Sequence, residues 1–324
     1  MLRTTLWIGA ACALAAAAPA AAQTFSLLTG WGPNNPTAYM PADRFKINLE
    51  KSSGGKMNLR ISGPEAVPPF EQMQPLTSGA FDVLYTHPAY HSKGLATAAE
   101  ILPFGPERLR SSGVWDAIDR FYQKTYNLKL LALVPLGSEG YHCYLRQPLT
   151  AQGDWSGRKL RGVSTQFGVI KALGGVPVTL PMGDVYSAME KGVVDGACAP
   201  ASVLLGTKHY EVAKYRVEPR FGLLVSLIGM NLDRWGKLSK DQQAALAASG
   251  VQTELDTARI GDEILNRDNE KLAGLGVQAV RLPKDKGELI RAEFQSSNWE
   301  FLQKCCSPAV DEIRSLARKA GLAK

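Results

Sequence analysis

An α/β fold is predicted by three features of this chain. Short apolar runs alternate with helix-periodic segments, turns rich in Gly, Pro and Asn separate them, and one late helical pattern is too long for an ordinary globular helix. Ligands of such folds bind in crevices beyond the strand C-termini, or between domains where there are two.

The chain opens on Arg3, an apolar run from Leu6 that becomes alanine-rich, and Ala20-Ala21-Ala22 before Gln23. That run is too short and small-sided to span a bilayer, and it reads as a secretory signal over residues 1–22. Gly9 stands where a lipoprotein signal wants a bulky aliphatic, and Cys12 falls too early in the run. The reading is therefore a cleaved signal and a free periplasmic protein.

Phe25-Ser26-Leu27-Leu28 reads as a strand and Gly30 to Pro36 as a loop. Ala38 to Glu50 carries Phe45 and Leu49 at helical spacing. Ser53-Gly54-Gly55 turns the chain, and Met57, Leu59 and Ile61 alternate as a strand. Phe70 to Ser78 reads as a helix interrupted at Pro75, followed by a strand at Phe81 to Tyr85. The continuous run Leu128 to Val134 has the look of a strand buried on both faces of a parallel sheet. Lys159 to Val163 is a short strand, Gln166 to Leu173 a helix, and Val176 to Val178 a strand. Asp184 is placed to cap a helix through Glu190, and Val193 to Gly196 starts another strand. Ser239-Lys240-Asp241-Gln242 then fits a capping box. Apolar residues recur at Leu246, Val251, Leu255, Ala258, Leu265 and Leu272, a pattern of more than 25 residues. It is a coiled coil, a pair kinked at Gly250, or one helix lying along two domains.

Removing 22 of 324 residues leaves 302, enough for two domains or one large one, and lowers the net charge from +7 to +6 because Arg3 is the only charge lost. No later stretch approaches the ~18 apolar residues of a membrane span. The basic residues form no block and no aromatic-interleaved patch, so nucleic acid is not an expected partner; small anions are favoured modestly. After cleavage Cys143, Cys198, Cys305 and Cys306 remain, and four cysteines allow three complete pairings. The vicinal pair Cys305-Cys306 is not expected to bridge to itself. No cysteine or histidine spacing suits a metal, and no cofactor motif is present.

The stretch Lys159-Leu160-Arg161, Ala172-Leu173-Gly174-Gly175, Val178, Pro181, Asp184-Val185-Tyr186, Ala188-Met189 and Gly192-Val193-Val194-Asp195-Gly196 resembles the core signature of TRAP-transporter solute-binding proteins, the DctP family. Gly79-Ala80-Phe81-Asp82, Pro88-Ala89-Tyr90, Asn231 to Trp235, Leu238-Ser239 and Gln242-Gln243 resemble the family in the same order, so the likeness covers nearly the whole mature chain. It implies a two-domain periplasmic-binding-protein-like fold, class II-like and hinge-bending, with a long helix spanning both domains. The implied division is 23–148 with 231–275 as domain I, and 149–230 with 276–324 and a C-terminal helix as domain II. The implied partners are a small organic carboxylate and the large and small subunits of a membrane permease driven by an ion gradient. A monomer is the expectation; Ser307 to Ala320 would form a surface-packed terminal helix.

Arg161 matches the family's carboxylate-binding arginine, and the chemistry agrees, because a guanidinium presents paired donors that fit a carboxylate and stays charged when buried. Met182, Trp31, Phe70, Glu71, Tyr85, His87 and Phe167 match cleft positions more loosely. Two departures from the family matter. Ala199 stands where many relatives carry an asparagine, and Gly140-Tyr141-His142 lies near the place where sugar-acid binders carry a second arginine. Losing both polar anchors beside several aromatics implies a monocarboxylate with an apolar or aromatic body, such as a 2-oxo or 2-hydroxy acid. A C4-dicarboxylate or sugar acid is the alternative ligand, and a periplasmic sensing partner of a receptor the alternative role. An enzyme would need Cys143 beside His142, or Cys198, as nucleophile. Neighbours on a strand point to opposite faces, so His142 is not placed to activate Cys143.

Overall fold

Alternation along the first strand already separates two cores: Leu27 packs with one cluster and its neighbour Leu28 with another. The computed structural model describes residues 22–102, 105–138 and 140–322; the signal reading therefore lies, but for its last residue, outside the described residues. The chain begins β1 (Gln23–Thr29), α1 (Pro36–Ser52), β2 (Met57–Ser62), α2 (Met73–Thr77) and β3 (Val83–Thr86). It continues through α3 (Ala98–Ile101), α4 (Pro106–Ser111), α5 (Val114–Tyr126) and β4 (Leu128–Pro135). β1 lies parallel to both β2 and β3, and β4 joins the same sheet through an antiparallel partner, β10 (Val225–Asn231), in the order β2-β1-β3-β10-β4. One face of this sheet meets α1, the other α3 to α5. The run Leu128 to Val134 is thus buried on both faces as read, but in an antiparallel edge strand. Its burial comes from helices on either side and not from parallel neighbours.

The second sheet holds β5 (His142–Leu145), β6 (Lys159–Arg161), β7 (Val176–Val178), β8 (Gly196–Ala199), β9 (Tyr215–Glu218) and β11 (Gln278–Arg281), ordered β11-β9-β5-β8-β6-β7. Helices α6 (Phe167–Ala172), α7 (Val185–Glu190) and α8 (Ala201–Gly206) cover it. The strand expected from Val193 begins only at Gly196, and Asp184 makes no side-chain cap to α7, which a three-residue 3-10 turn at Met182–Asp184 leads into instead.

Two extended segments cross between the sheets, after β4 and after β9, and they pair with each other. Tyr141 and Phe221 exchange backbone hydrogen bonds of 3.0 and 2.9 Å, and the Leu136 N–H donates to the Leu224 carbonyl at 2.9 Å. The crossings therefore fall at residues 136–141 and 219–224. This shifts the expected boundaries: β5 belongs to the second sheet and β10 to the first.

Two helices tie the halves together. After the short α9 (Leu232–Gly236), α10 (Lys240–Gly274) runs 35 residues without a break. Its start is the expected capping box: the Gln242 N–H donates to Ser239 Oγ at 3.3 Å and the Ser239 N–H to Gln242 Oε1 at 2.9 Å. Leu246 packs into the first domain and Leu272 into the second. The stripe that α10 buries is mostly small or polar, including Ser249, Gly250, Thr253, Thr257 and Gly261, whereas Val251 is exposed. Gly250 makes no kink. A Cβ there would collide with the Leu131 carbonyl, so the glycine lets the helix lie directly on β4, as Gly261 lets it lie on the Gly137 backbone at the crossing. Last come α11 (Lys284–Cys306) and α12 (Ala309–Lys319). Ile290 and Phe294 of α11 pack under the second sheet, and Leu302 with Val310 and Ile313 of α12 under the first. The terminal helix thus belongs to domain I and not, as expected, to domain II; its amphipathic face fills the groove beside α5. No helix among the described residues is long and apolar enough to cross a membrane.

Candidate functional site

Strand ends and the turns after them converge on one cavity between the domains. From the first domain come Trp31, in the loop after β1, then Tyr85 on β3 and His87 just past its end. From the second come Arg161, the last residue of β6, Met182 in the turn after β7, and Ala199, the last residue of β8. The structure thus gathers six of the residues singled out above around one space, at strand C-termini where α/β sheets leave a crevice. Tyr90, Tyr141, Gln166, Ser202, Thr37 and Ser226 add to its polar lining, with Val134, Leu136, Val203 and Leu224 among its apolar walls. The space open to the centre of a water-sized sphere is about 50 Å³. Taken as spherical, that encloses roughly 200 Å³ in all, the volume of about ten non-hydrogen atoms.

Arg161 is 2 % exposed, and its environment is unusual for a buried cation. Its Nε–H donates to the Leu180 carbonyl at 3.0 Å, and the Tyr90 and Tyr141 phenols lie near the guanidinium. Nη2 is buried with no hydrogen-bond partner, and among the described residues no carboxylate lies within ion-pair distance of the group. Burial pulls the guanidinium's pKa below its ordinary value, with Tyr90 and then Tyr141 opposing the shift. A buried unpaired charge is costly, and an arginine meets that cost best with a bidentate anion. Ser202 Oγ is buried without a partner beside the same cavity.

The opposite wall is aromatic and held by hydrogen bonds of its own. Trp31 and Tyr85 stack with centroids 4.9 Å apart, and the Tyr85 hydroxyl donates to the Ala38 carbonyl at 3.0 Å. Burial pushes the Tyr85 phenol well above its usual range. Tyr90 sits on a 3-10 turn, Pro88–Tyr90, that the His87 side chain caps: the Ala89 N–H donates to His87 Nδ1 at 3.1 Å. With Nδ1 accepting, the proton of neutral His87 sits on Nε2, which faces Glu100 Oε1 at 2.7 Å; the Tyr141 hydroxyl donates to the same oxygen at 3.1 Å. Buried Glu100, on α3, thus holds His87 and Tyr141 in place from behind the cavity wall.

Three residues singled out from sequence lie elsewhere. Phe70 and Phe167 line a second, outer cavity with His91 and Phe301, beyond Tyr90. Glu71 is exposed and lines neither, because on the tight turn Pro69–Glu71 it is Phe70 that faces Tyr90 while Glu71 turns to solvent. Tyr90, Gln166 and Ser202 went unread, although Tyr90 stands in the quoted Pro88-Ala89-Tyr90 turn and Ser202 just past a strand end, where the strand-end rule points.

The thiols are committed. Cys143 and Cys198, directly opposite on antiparallel β5 and β8, form a disulfide. Neither carries a free nucleophile, and His142 spends its Nδ1–H on the Val217 carbonyl at 2.9 Å. Against expectation Cys305 and Cys306 also bridge, at the last turn of α11; among the described residues the other two cysteines are already paired with each other. Among the described residues no cluster of His, Cys, Asp or Glu could hold a metal ion.

Residues 29–303 match the family described as bacterial extracellular solute-binding protein, family 7, or DctP, and the chain belongs to it. Among curated proteins it is 27 % identical over 168 residues to the C4-dicarboxylate-binding periplasmic protein DctP of Rhodobacter capsulatus, covering 51 % of this chain and 47 % of that one. The chain thus spans about half the length of the curated relatives it matches. Solved structures match over nearly all of it. An extracytoplasmic solute receptor of Bordetella pertussis binding pyroglutamic acid aligns with a TM-score of 0.76 at 15 % identity, over 92 % of this chain and 100 % of that one. A TRAP periplasmic solute-binding protein of Desulfovibrio salexigens with bound orotic acid aligns with a TM-score of 0.79 at 17 % identity, over 92 % and 98 %. At such identities the likeness establishes the two-domain binding-protein fold.

Proposed function

We propose that this protein is the periplasmic solute-binding component of a TRAP transporter, and that it captures a small monocarboxylate between its domains and delivers it to a membrane permease. The observation that carries the ligand class is Arg161, a buried cation with an unpartnered guanidinium nitrogen, set in a cavity whose other walls are mainly aromatic and aliphatic. A carboxylate oxygen supplies the missing acceptor, and the apolar walls take the rest of the ligand by burial. Tyr90, Ser202 and Gln166 offer polar groups near the guanidinium, which suits a second oxygen next to the carboxylate, as in a 2-oxo or 2-hydroxy acid. Ala199 and Tyr141 add no second cation to the lining, so a second carboxylate would be buried there unpaired. Pyroglutamic and orotic acids, held by the two structural neighbours, are likewise compact rings bearing one carboxylate.

A thermal-shift screen of unfolded and refolded protein against small carboxylates tests this. Ligand that binds only the folded state adds RT ln(1 + [L]/Kd), about 2.7 kcal/mol at a hundredfold excess over Kd. Compact monocarboxylates are expected to raise the midpoint, and C4-dicarboxylates and sugar acids to leave it within a degree or so. A rise confined to dicarboxylates would keep the binding function and discard the monocarboxylate. Silence across the panel would contradict the role of Arg161.

A further inference from the structure

The cavity around Arg161 and the outer cavity share two wall residues, Tyr90 from the first domain and Val163 from the second. The outer space is the more open to solvent and gives the centre of a water-sized sphere about 330 Å³ against about 50 Å³, and Phe70, Phe167 and Phe301 line it. Between the two stands the Tyr90 ring, edge-on to Phe70 with centroids 4.9 Å apart and 5.5 Å from His87. Its hydroxyl lies near Arg161, across the domain boundary, and its ring centroid is 6.0 Å from that of Trp31. The ring is therefore flanked by Phe70, His87 and Trp31, on a turn of three residues whose first N–H is tied to the His87 ring.

We infer that Tyr90 is the residue that sets ligand length: its ring closes the Arg161 chamber off from an aromatic outer chamber, and restricts the site to acids that end before it. This inference rests on the carboxylate reading of Arg161. The outer chamber is chemically suited to an aryl or alkyl tail, since three phenylalanines line it. Removing the ring joins the two spaces into one channel running from the guanidinium to Phe301. A phenyl-terminated acid then has room for its head on Arg161 and its tail among the phenylalanines. Removing only the hydroxyl leaves the partition standing and takes away only the phenol oxygen near Arg161.

The test is titration calorimetry of the refolded mature protein with pyruvate and with benzylpyruvate, in wild type and in the Tyr90→Ala, Tyr90→Leu and Tyr90→Phe variants. Wild type is expected to bind pyruvate more tightly by about a hundredfold. Tyr90→Ala and Tyr90→Leu are expected to reduce that preference at least about tenfold through tighter binding of benzylpyruvate, while Tyr90→Phe keeps it. Should the alanine variant not fold, the leucine variant carries the comparison. A wild-type preference near unity, or one that Ala and Leu leave unchanged while pyruvate still binds, would overturn the gate and leave the carboxylate reading standing. Failure of wild type to bind either acid would overturn both.

Discussion

At the scale of single residues, the site is a problem of buried polar atoms and how each is satisfied. Glu100 meets two donors, His87 is fixed as one tautomer, and Tyr85 donates to a carbonyl, while Arg161 Nη2 and Ser202 Oγ have no partner. Two further histidines, His142 and His209, are 3 % and 1 % exposed, and burial pushes each down to about 4. The sign of their effect follows. The unfolded chain takes up protons near pH 6.5 while the folded chain does not, so the stability of the folded state is full above that pH and declines as pH falls towards 4. Each buried histidine accounts for roughly 3 kcal/mol over that window. Chemical denaturation at pH 7 and pH 4.5 should show the loss, and His209→Gln should lessen it; equal stability at both values would contradict neutral burial. Arg161, Trp31, Tyr85, His87, Met182 and Ala199 were legible because each sits at or near a strand end with a matching family position. Tyr90 and Ser202 were passed over although a quoted turn and a strand end pointed to them, because neither residue type by itself marks a cavity-facing position.

Among the elements, α10 shows most clearly where periodicity succeeds and where it fails. Its start, at Ser239, and its unusual length were readable from one capping box and an apolar recurrence of more than 25 residues. Its buried face was readable only in part. Apolar spacing picked out Leu246, Leu265 and Leu272, which are buried, but also Val251, which is exposed, and it passed over Ser249, Gly250, Thr253, Thr257 and Gly261. Close backbone approach selects small residues that a hydrophobicity pattern passes over. Thr253 and Thr257 turn their hydroxyls back to carbonyls in the preceding turn of the helix, at 2.7 and 2.9 Å, so they add no unsatisfied polar group to the interface. Gly250→Ala, harmless or stabilising in an exposed helix, should here cost about 2 kcal/mol or more, because its methyl meets the Leu131 carbonyl. Ser239→Ala should cost about 1 kcal/mol. Equilibrium urea unfolding ranks the two, and an unperturbed Gly250→Ala would mean that α10 stands off from β4. The reach of α11 under both sheets escaped notice for a related reason. Ile290 and Phe294 serve one core, Leu302 and Cys306 another, and no single stripe announces a helix shared between two cores.

In the whole molecule, four connections hold the domains: two paired crossing segments, α10 and α11. The paired crossings, bonded from Leu136–Leu224 to Tyr141–Phe221, form a narrow ribbon about which the halves can turn. The cavity lies against that ribbon, with Tyr141 and Leu224 in its lining. A ligand touching Arg161 on one side and Trp31 or Tyr85 on the other favours the closed arrangement only by what it gains from touching both. Tyr90 already approaches Arg161 across the gap, so a carboxylate on Arg161 would add to an existing interdomain contact. The overall α/β class and the long helix were readable in the chain; the crossing points were not. β5 and β10 are short apolar strands with nothing in their composition to say which sheet they join, and only pairing decides it. The most direct test of the central claim is calorimetric titration of Arg161→Ala with whichever monocarboxylate stabilises wild type in the thermal-shift screen. Binding at least about a hundredfold weaker, with the circular dichroism of the folded protein retained, is the predicted result. Affinity equal to wild type would mean that the ligand's carboxylate is held elsewhere, and that the buried guanidinium is not what the site is built around.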